Sequence, residues 1–244
     1  MKKRLLSSVV VTMVALSAHA ADKTKEVVTH TEMGYIQTNG NTKTKTFNLD
    51  AKAERQWGKH AGTLTFDGQN GSDQGTTTKK KYFIELEYNY AFTDRLAFAY
   101  ILGYKYDKFS GYDYQAYTGP GIKYAAIKQA TQNLSLEMGL MYARDKYAED
   151  SIINAGETND YASYRLKGVY DLQIAENLKF TQELSVRGSF EESDNYFAFS
   201  KTALTSKLSD IFSAGVSYKL DYANIPAARY KTDETFTFNL IMDY

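Results

Sequence analysis

The sequence predicts an all-β protein: a transmembrane, antiparallel, up-and-down β-barrel of about 12 strands. Three observations predict it. Segment after segment alternates apolar and polar residues with a period of two. An export signal opens the chain, and no later apolar run approaches the length of a membrane helix. The connections are short at one end of the segments and mostly longer and polar at the other.

Lys2, Lys3 and Arg4 start the chain, residues 5–16 are mostly apolar, and Ala18-His19-Ala20 fits a small-x-small cleavage site. Residues 1–20 therefore read as a signal peptide cleaved near Ala20, and 21–244 as the outer-membrane barrel. The leader takes three of the 29 basic residues and none of the 29 acidic ones, so the mature part is three charges negative. That excess argues against a nucleic-acid partner, which wants a strongly basic face. The chain has no cysteine, so burial or a closed hydrogen-bond network must hold it together. A mean hydropathy of −0.48 is compatible with a barrel, because outward apolar and inward polar residues average out along each strand. With 21 Tyr and 13 Phe but only 2 Pro, the composition favours strands.

The first hairpin spans 26–38 and 43–57, with Asn39-Gly40 at its turn, where both residues tolerate positive φ. In its second strand Phe47, Leu49, Ala51 and Ala53 share one face, and Asp50, Lys52 and Glu54 the other. A third strand carries Leu64 and Phe66 outward, and the glycine-rich stretch 67–75 reads as a flexible loop. Tyr82, Ile84, Leu86 and Tyr88 then alternate with Lys81, Glu85 and Glu87. Phe98, Tyr100, Leu102 and Tyr104 alternate with Ala99, Lys105 and Asp107.

Gly119-Pro120-Gly121 interrupts the sixth segment and suggests a bulge or a later strand start. The seventh shows Leu134, Leu136, Met138 and Leu140 around Glu137. The eighth shows Tyr164, Leu166 and Tyr170 around Arg165, Lys167 and Asp171. In the ninth, Leu178, Phe180 and Leu184 flank Lys179, Glu183 and Arg187, and Gln182 breaks the pattern. The tenth, 195–206, is weakly patterned. The eleventh sets Val216, Tyr218 and Leu220 against Lys219 and Asp221. The last strand aligns Phe236, Phe238, Leu240, Met242 and Tyr244 on one face, with Ile241 the exception on the other.

A soluble sandwich also alternates, but it buries its apolar face between sheets. Here the apolar faces end in tyrosines, as the aromatic girdles of a bilayer interface do, and the other faces mix small and charged residues. Lipid offers no partner to an unpaired amide, so such a sheet must close on itself. Even strand number and short periplasmic turns put both chain ends in the periplasm.

Two resemblances follow. The closing strand, with its aromatic end, resembles that of bacterial outer-membrane barrels. Phe236, Phe238, Leu240, Met242 and Tyr244 would then be a signal to the barrel-assembly machinery. The opening Gly34-Tyr35-Ile36-Gln37-Thr38-Asn39-Gly40-Asn41-Thr42, with the strand to Trp57, resembles the salt-induced outer-membrane protein family, a domain of unknown function. That resemblance implies an outer-membrane barrel and brings no established substrate, cofactor or catalytic residue.

The candidate site is the lumen. The inward faces gather Asp50, Lys52, Glu54, Glu85, Glu87, Lys105 and Asp107 from one half of the chain. Glu137, Arg165, Lys167, Asp171, Lys179, Glu183, Arg187, Lys219 and Asp221 come from the other. Both signs are present, so cross-strand pairing and wall-to-wall ion networks are expected, leaving a narrow passage or none. Any ion preference is expected to come from local clusters, such as the basic set Arg165, Lys167 and Lys179. No cofactor or metal is implied. An outer-leaflet enzyme would need a positioned base, and His30 and His60 lack a serine and carboxylate at recognisable spacing. The acidic loop residues Glu149, Asp150, Glu157, Asp160, Glu191, Glu192 and Asp194 could hold divalent cations bridging lipopolysaccharide. The expected function is a narrow pore or a structural envelope component. Its expected partners are outer-membrane lipids, lipopolysaccharide and small solutes or ions.

Overall fold

The alternating segments become strands in a computed structural model that describes residues 27–37 and 44–244. Residues 1–20, expected to be a signal peptide, and the expected turn at Asn39-Gly40 lie outside the described residues. The strands are β1 (Val27–Gln37), β2 (Thr44–Trp57), β3 (His60–Asp73), β4 (Thr76–Ala91), β5 (Leu96–Asp107) and β6 (Tyr112–Lys128). They continue as β7 (Gln132–Tyr147), β8 (Thr158–Ala175), β9 (Leu178–Ser189), β10 (Tyr196–Lys207), β11 (Phe212–Ala223) and β12 (Thr232–Asp243). Each pairs antiparallel with its sequence neighbours, and β12 returns to β1, closing a twelve-stranded barrel. At the closure the amide of Thr29 donates to the Tyr244 carbonyl at 2.6 Å, and the Tyr244 amide donates back at 2.9 Å. Closure removes the sheet edges that a bilayer could not tolerate.

The outer surface is an apolar belt. Leu86, Leu102, Leu136, Leu166, Leu184 and Leu240 are all exposed on it. Aromatic girdles bound the belt. At the short-turn end the rings of Trp57, Tyr88 and Tyr90 gather round His60, which hydrogen-bonds the Tyr88 hydroxyl at 2.7 Å. At the long-loop end Tyr82 stacks on Tyr106, and Tyr104 on Tyr114. Gln182 is tolerated on the lipid side because its amide is fully engaged. It donates to the Ser200 hydroxyl at 3.1 Å and accepts from the Thr202 hydroxyl at 2.7 Å. This explains both its break in the ninth segment and the weak pattern of the tenth.

Two expectations about the wall are corrected. Most of the stretch 67–75 is strand, not loop: β3 runs to Asp73 and pairs with β4 to the end, with a register shift between Gly71 and Ser72. Gln74 and Gly75 make the whole turn, with φ of 48° and 89°, the two positive values that a tight two-residue hairpin needs. Pro120 likewise marks neither a bulge nor a start. β6 passes through it without changing register: Tyr100 pairs with it on the β5 side, and the ladder to β7 skips only Gly119 and Pro120 before resuming in the same register. At Gly119 a Cβ would stand 2.0 Å from the Leu140 carbonyl, so β6 and β7 approach closely beside the proline. The register shifts of β6 fall elsewhere, between Tyr112 and Tyr114 and between Ala125 and Ile127. The first sends Tyr112 into the lumen against Tyr147, while Tyr114 stays outside on Tyr104.

Candidate functional site

A cavity of about 800 Å³ runs along the lumen, from His30 and Glu54 near the short turns to Tyr230 and Asp233 near the long loops. Asp50, Lys52, Glu54, Glu85, Glu87, Lys105, Asp107, Glu137, Arg165, Lys167, Asp171, Glu183, Arg187, Lys219 and Asp221 all line it. Lys179 is exposed at the short-turn end, where it pairs with Asp171 at 2.9 Å. Two further pairs at that end are Lys52 with Glu54 at 2.7 Å and Lys123 with Glu87 at 2.6 Å.

Deeper in, the charges reach across the barrel. Lys201 on β10 joins Glu32 on β1 at 2.8 Å and Asp50 on β2 at 3.0 Å. Lys219 on β11 joins Asp50 at 2.6 Å and also Asp67 on β3. Asp221 on β11 joins Lys81 on β4 at 2.5 Å and Lys105 on β5 at 3.0 Å. On the other arc Arg165 joins Glu85 at 2.9 Å and Glu137, and Lys167 joins Glu183 at 2.9 Å. Burial makes an unpaired charge here costly, and length lets lysine and arginine find acceptors on distant strands.

Arg165, Lys167 and Lys179 are therefore not a basic cluster, contrary to the sequence expectation. Each is paired with carboxylates: Arg165 with Glu85 and Glu137, Lys167 with Glu183 and Lys179 with Asp171, and Glu85 also stands 3.9 Å from Lys167. Asp160 is not a loop residue either: it lies in β8 and takes both guanidinium contacts of Arg144, at 2.6 and 3.0 Å. Sequence reasoning left Glu32, Asp67, Lys81, Asp145 and Lys201 out of the site. Asp67 was hidden in the presumed loop and Lys201 in the weakly patterned segment. Lys81 and Glu32 obey the alternation and could have been found by it.

The β5–β7 wall is filled. Ala99, Ile101 and Met141 are buried against Tyr117, whose hydroxyl donates to Glu85 at 2.5 Å. Arg187 threads between aromatic rings, 4.7 Å from the centre of Phe197 and 5.4 Å from that of Tyr117, and bonds the Tyr161 hydroxyl at 2.6 Å. Tyr161 in turn donates to Asp145 at 2.7 Å.

The long-loop mouth is crossed by the connection 224–231 between β11 and β12. Its Ala227 is buried with Tyr112 and Tyr147, against Ile153 and Phe197. The Ala227 carbonyl accepts from the Ile152 amide at 3.0 Å and the Ser151 hydroxyl at 3.1 Å. Gly111, at φ 78°, leaves room for that carbonyl: a Cβ there would stand 2.2 Å from it.

The two histidines among the described residues are both engaged. His60 belongs to the outer girdle. His30 lies between Asp243 at 2.6 Å and Glu32 at 3.1 Å, at the β1–β12 junction. The closing-strand residues Phe236, Phe238, Leu240 and Tyr244 are exposed on the outside, and Met242 is half-buried.

Comparisons with known proteins agree with this architecture. The chain is 28% identical over 216 residues to the uncharacterized protein YdiY of Escherichia coli (strain K12), covering 85% of this chain and 79% of that protein. Among solved structures it is similar in fold to the NanC porin, with a TM-score of 0.53 at 10% identity over 90% of this chain and 99% of that one. A family model described as "Protein of unknown function, DUF481" matches residues 31–244, and the chain belongs to that family.

Proposed function

We propose that this barrel is a narrow outer-membrane pore for small solutes, with its short turns in the periplasm and its long loops outside. The observation that carries the reading is the cavity that continues from one end of the lumen to the other in spite of the cross-braces. The ion pairs leave no net single-signed wall, so the pore discriminates weakly by charge. Single-channel recording of the refolded protein in planar bilayers tests it. Small, discrete steps are expected, and a large unselective conductance would refute the narrow-pore reading.

A second reading, a structural envelope barrel, is favoured by the connection 224–231 lying across the mouth. Absence of any conductance would select it. A non-enzymatic role is supported by the engagement of His30 with two carboxylates and of His60 with girdle tyrosines. The same proposal includes recognition of the closing strand by the barrel-assembly machinery, contact with lipopolysaccharide, and export by cleavage near Ala20. A salt-induced role also belongs to it, and comparing expression at low and high osmolarity would test that part.

A further inference from the structure

Two phenylalanines point the wrong way for a polar lumen. Phe83 on β4 and Phe199 on β10 both line the cavity and are half-buried. Phe83 stands directly opposite Lys105, and Phe199 directly opposite Asp221. Lys105 and Asp221 are themselves joined across the lumen at 3.0 Å. One bridge therefore holds the two phenyl-bearing positions at the same level of the barrel, on facing walls. Among the described residues neither ring stacks on another aromatic ring, unlike the rings of Phe197, Tyr112 and Tyr147 above them. Pro226 and Tyr230 of the crossing loop line the same cavity on the long-loop side.

Phenyl faces left to confined water are unfavourable, and a ligand that covers them removes that cost. Stacking with a flat ring recovers that area and adds a geometric preference. The charges at this level are already engaged: Lys81 and Lys105 share Asp221, Lys167 pairs with Glu183 and Arg187 with Asp145. A charged ligand would have to compete with these contacts in a confined space. A neutral ring with hydroxyl groups at its edge would keep them, and would hydrogen-bond to their free lone pairs and protons.

We propose that Phe83 and Phe199 form the two walls of a ligand slot in the lumen, for a neutral, ring-shaped, hydroxylated small molecule. The slot deepens the pore reading by naming a solute class, but binding there does not require conduction.

The test is saturation-transfer NMR on the full refolded barrel in detergent, with methyl glucoside as the neutral probe and glucuronate as its charged counterpart. Methyl glucoside should receive saturation from the protein, and glucuronate should bind at least tenfold more weakly. Phe83→Leu and Phe199→Leu keep the apolar volume and remove the ring, so each should weaken methyl glucoside at least tenfold. Retarded gel migration on heating certifies that each variant is folded. Equal binding by the folded leucine variants, or preference for glucuronate, overturns the slot. A protein that binds but does not conduct leaves the slot standing and removes the pore. One that conducts without binding either probe removes the slot alone.

Discussion

Lys105 and Asp221 meet at 3.0 Å although their strands, β5 and β11, lie six places apart around a ring of twelve. They are on opposite walls. A salt bridge across the full width of a barrel means that the lumen is pinched there, and that the two walls are fixed to each other by more than the sheet. Lys81 shares the same carboxylate, so one aspartate anchors two lysines.

That arrangement makes Asp221 a structural keystone. Asp221→Asn should cost about 3–5 kcal/mol, the usual loss when one partner of a buried pair is removed. Glu54→Gln, whose partner Lys52 is about half exposed, should cost less than about 1 kcal/mol. Urea titrations of the protein folded into lipid vesicles measure both. Equal losses would mean that the cross-lumen bridge does not brace the barrel.

The two faces of one strand should respond in opposite ways. Leu136 is exposed on the apolar belt, and Leu136→Arg should cost about 2–4 kcal/mol near the middle of the bilayer. Its neighbour Ser135 lines the cavity, where an added arginine finds water and carboxylates. Ser135→Arg should therefore cost far less in the same titration. If the serine variant is hurt as badly as the leucine variant, the assignment of faces on β7 is wrong.

Conductance should depend on the loop across the mouth. Ala227→Asp puts a charge into the apolar pocket of Tyr112 and Tyr147, and Gly111→Val pushes a side chain into the Ala227 carbonyl. Both should release 224–231 and raise single-channel conductance several-fold. Neither touches the membrane-spanning wall, so stability in urea should change little. Unchanged conductance in both variants would show that the loop does not limit flow.

Charge selectivity should be weak in the proposed pore and inducible by mutation. Arg165→Gln leaves Glu85 and Glu137 without their guanidinium, and Lys167→Gln leaves Glu183 without its ammonium. The double variant should shift reversal potentials toward cations in a salt gradient. A shift toward anions would contradict the pairing seen in the lumen.

Most of the wall was legible in the linear sequence, because in a membrane barrel each strand must satisfy lipid on one side and water on the other. Period two follows from that requirement residue by residue, as Leu136 against Glu137 and Leu86 against Glu85 show. So did the location of the lumen charges, since a charged residue between two lipid-facing ones has one direction left. What misled was local chemistry: the glycines before Gln74 suggested a loop where β3 continues, and Pro120 suggested a break that the strand absorbs.

Partnership was another matter. Alternation says that Asp221 faces inward, but nothing in it says that its partners are Lys81 and Lys105, more than a hundred residues away. Closure of the ring decides that, by bringing β11 opposite β5. It likewise brings Glu85 from β4 to Arg165, which, with Glu137, Asp171 and Glu183 on adjacent strands, offsets the apparent basic set of Arg165, Lys167 and Lys179. It also lays Ala227 over Gly111 at a mouth where no local pattern foretells a contact. Periodicity is a one-dimensional consequence of the solvent on each side of a strand; who meets whom across the lumen depends on the diameter and register of the closed barrel.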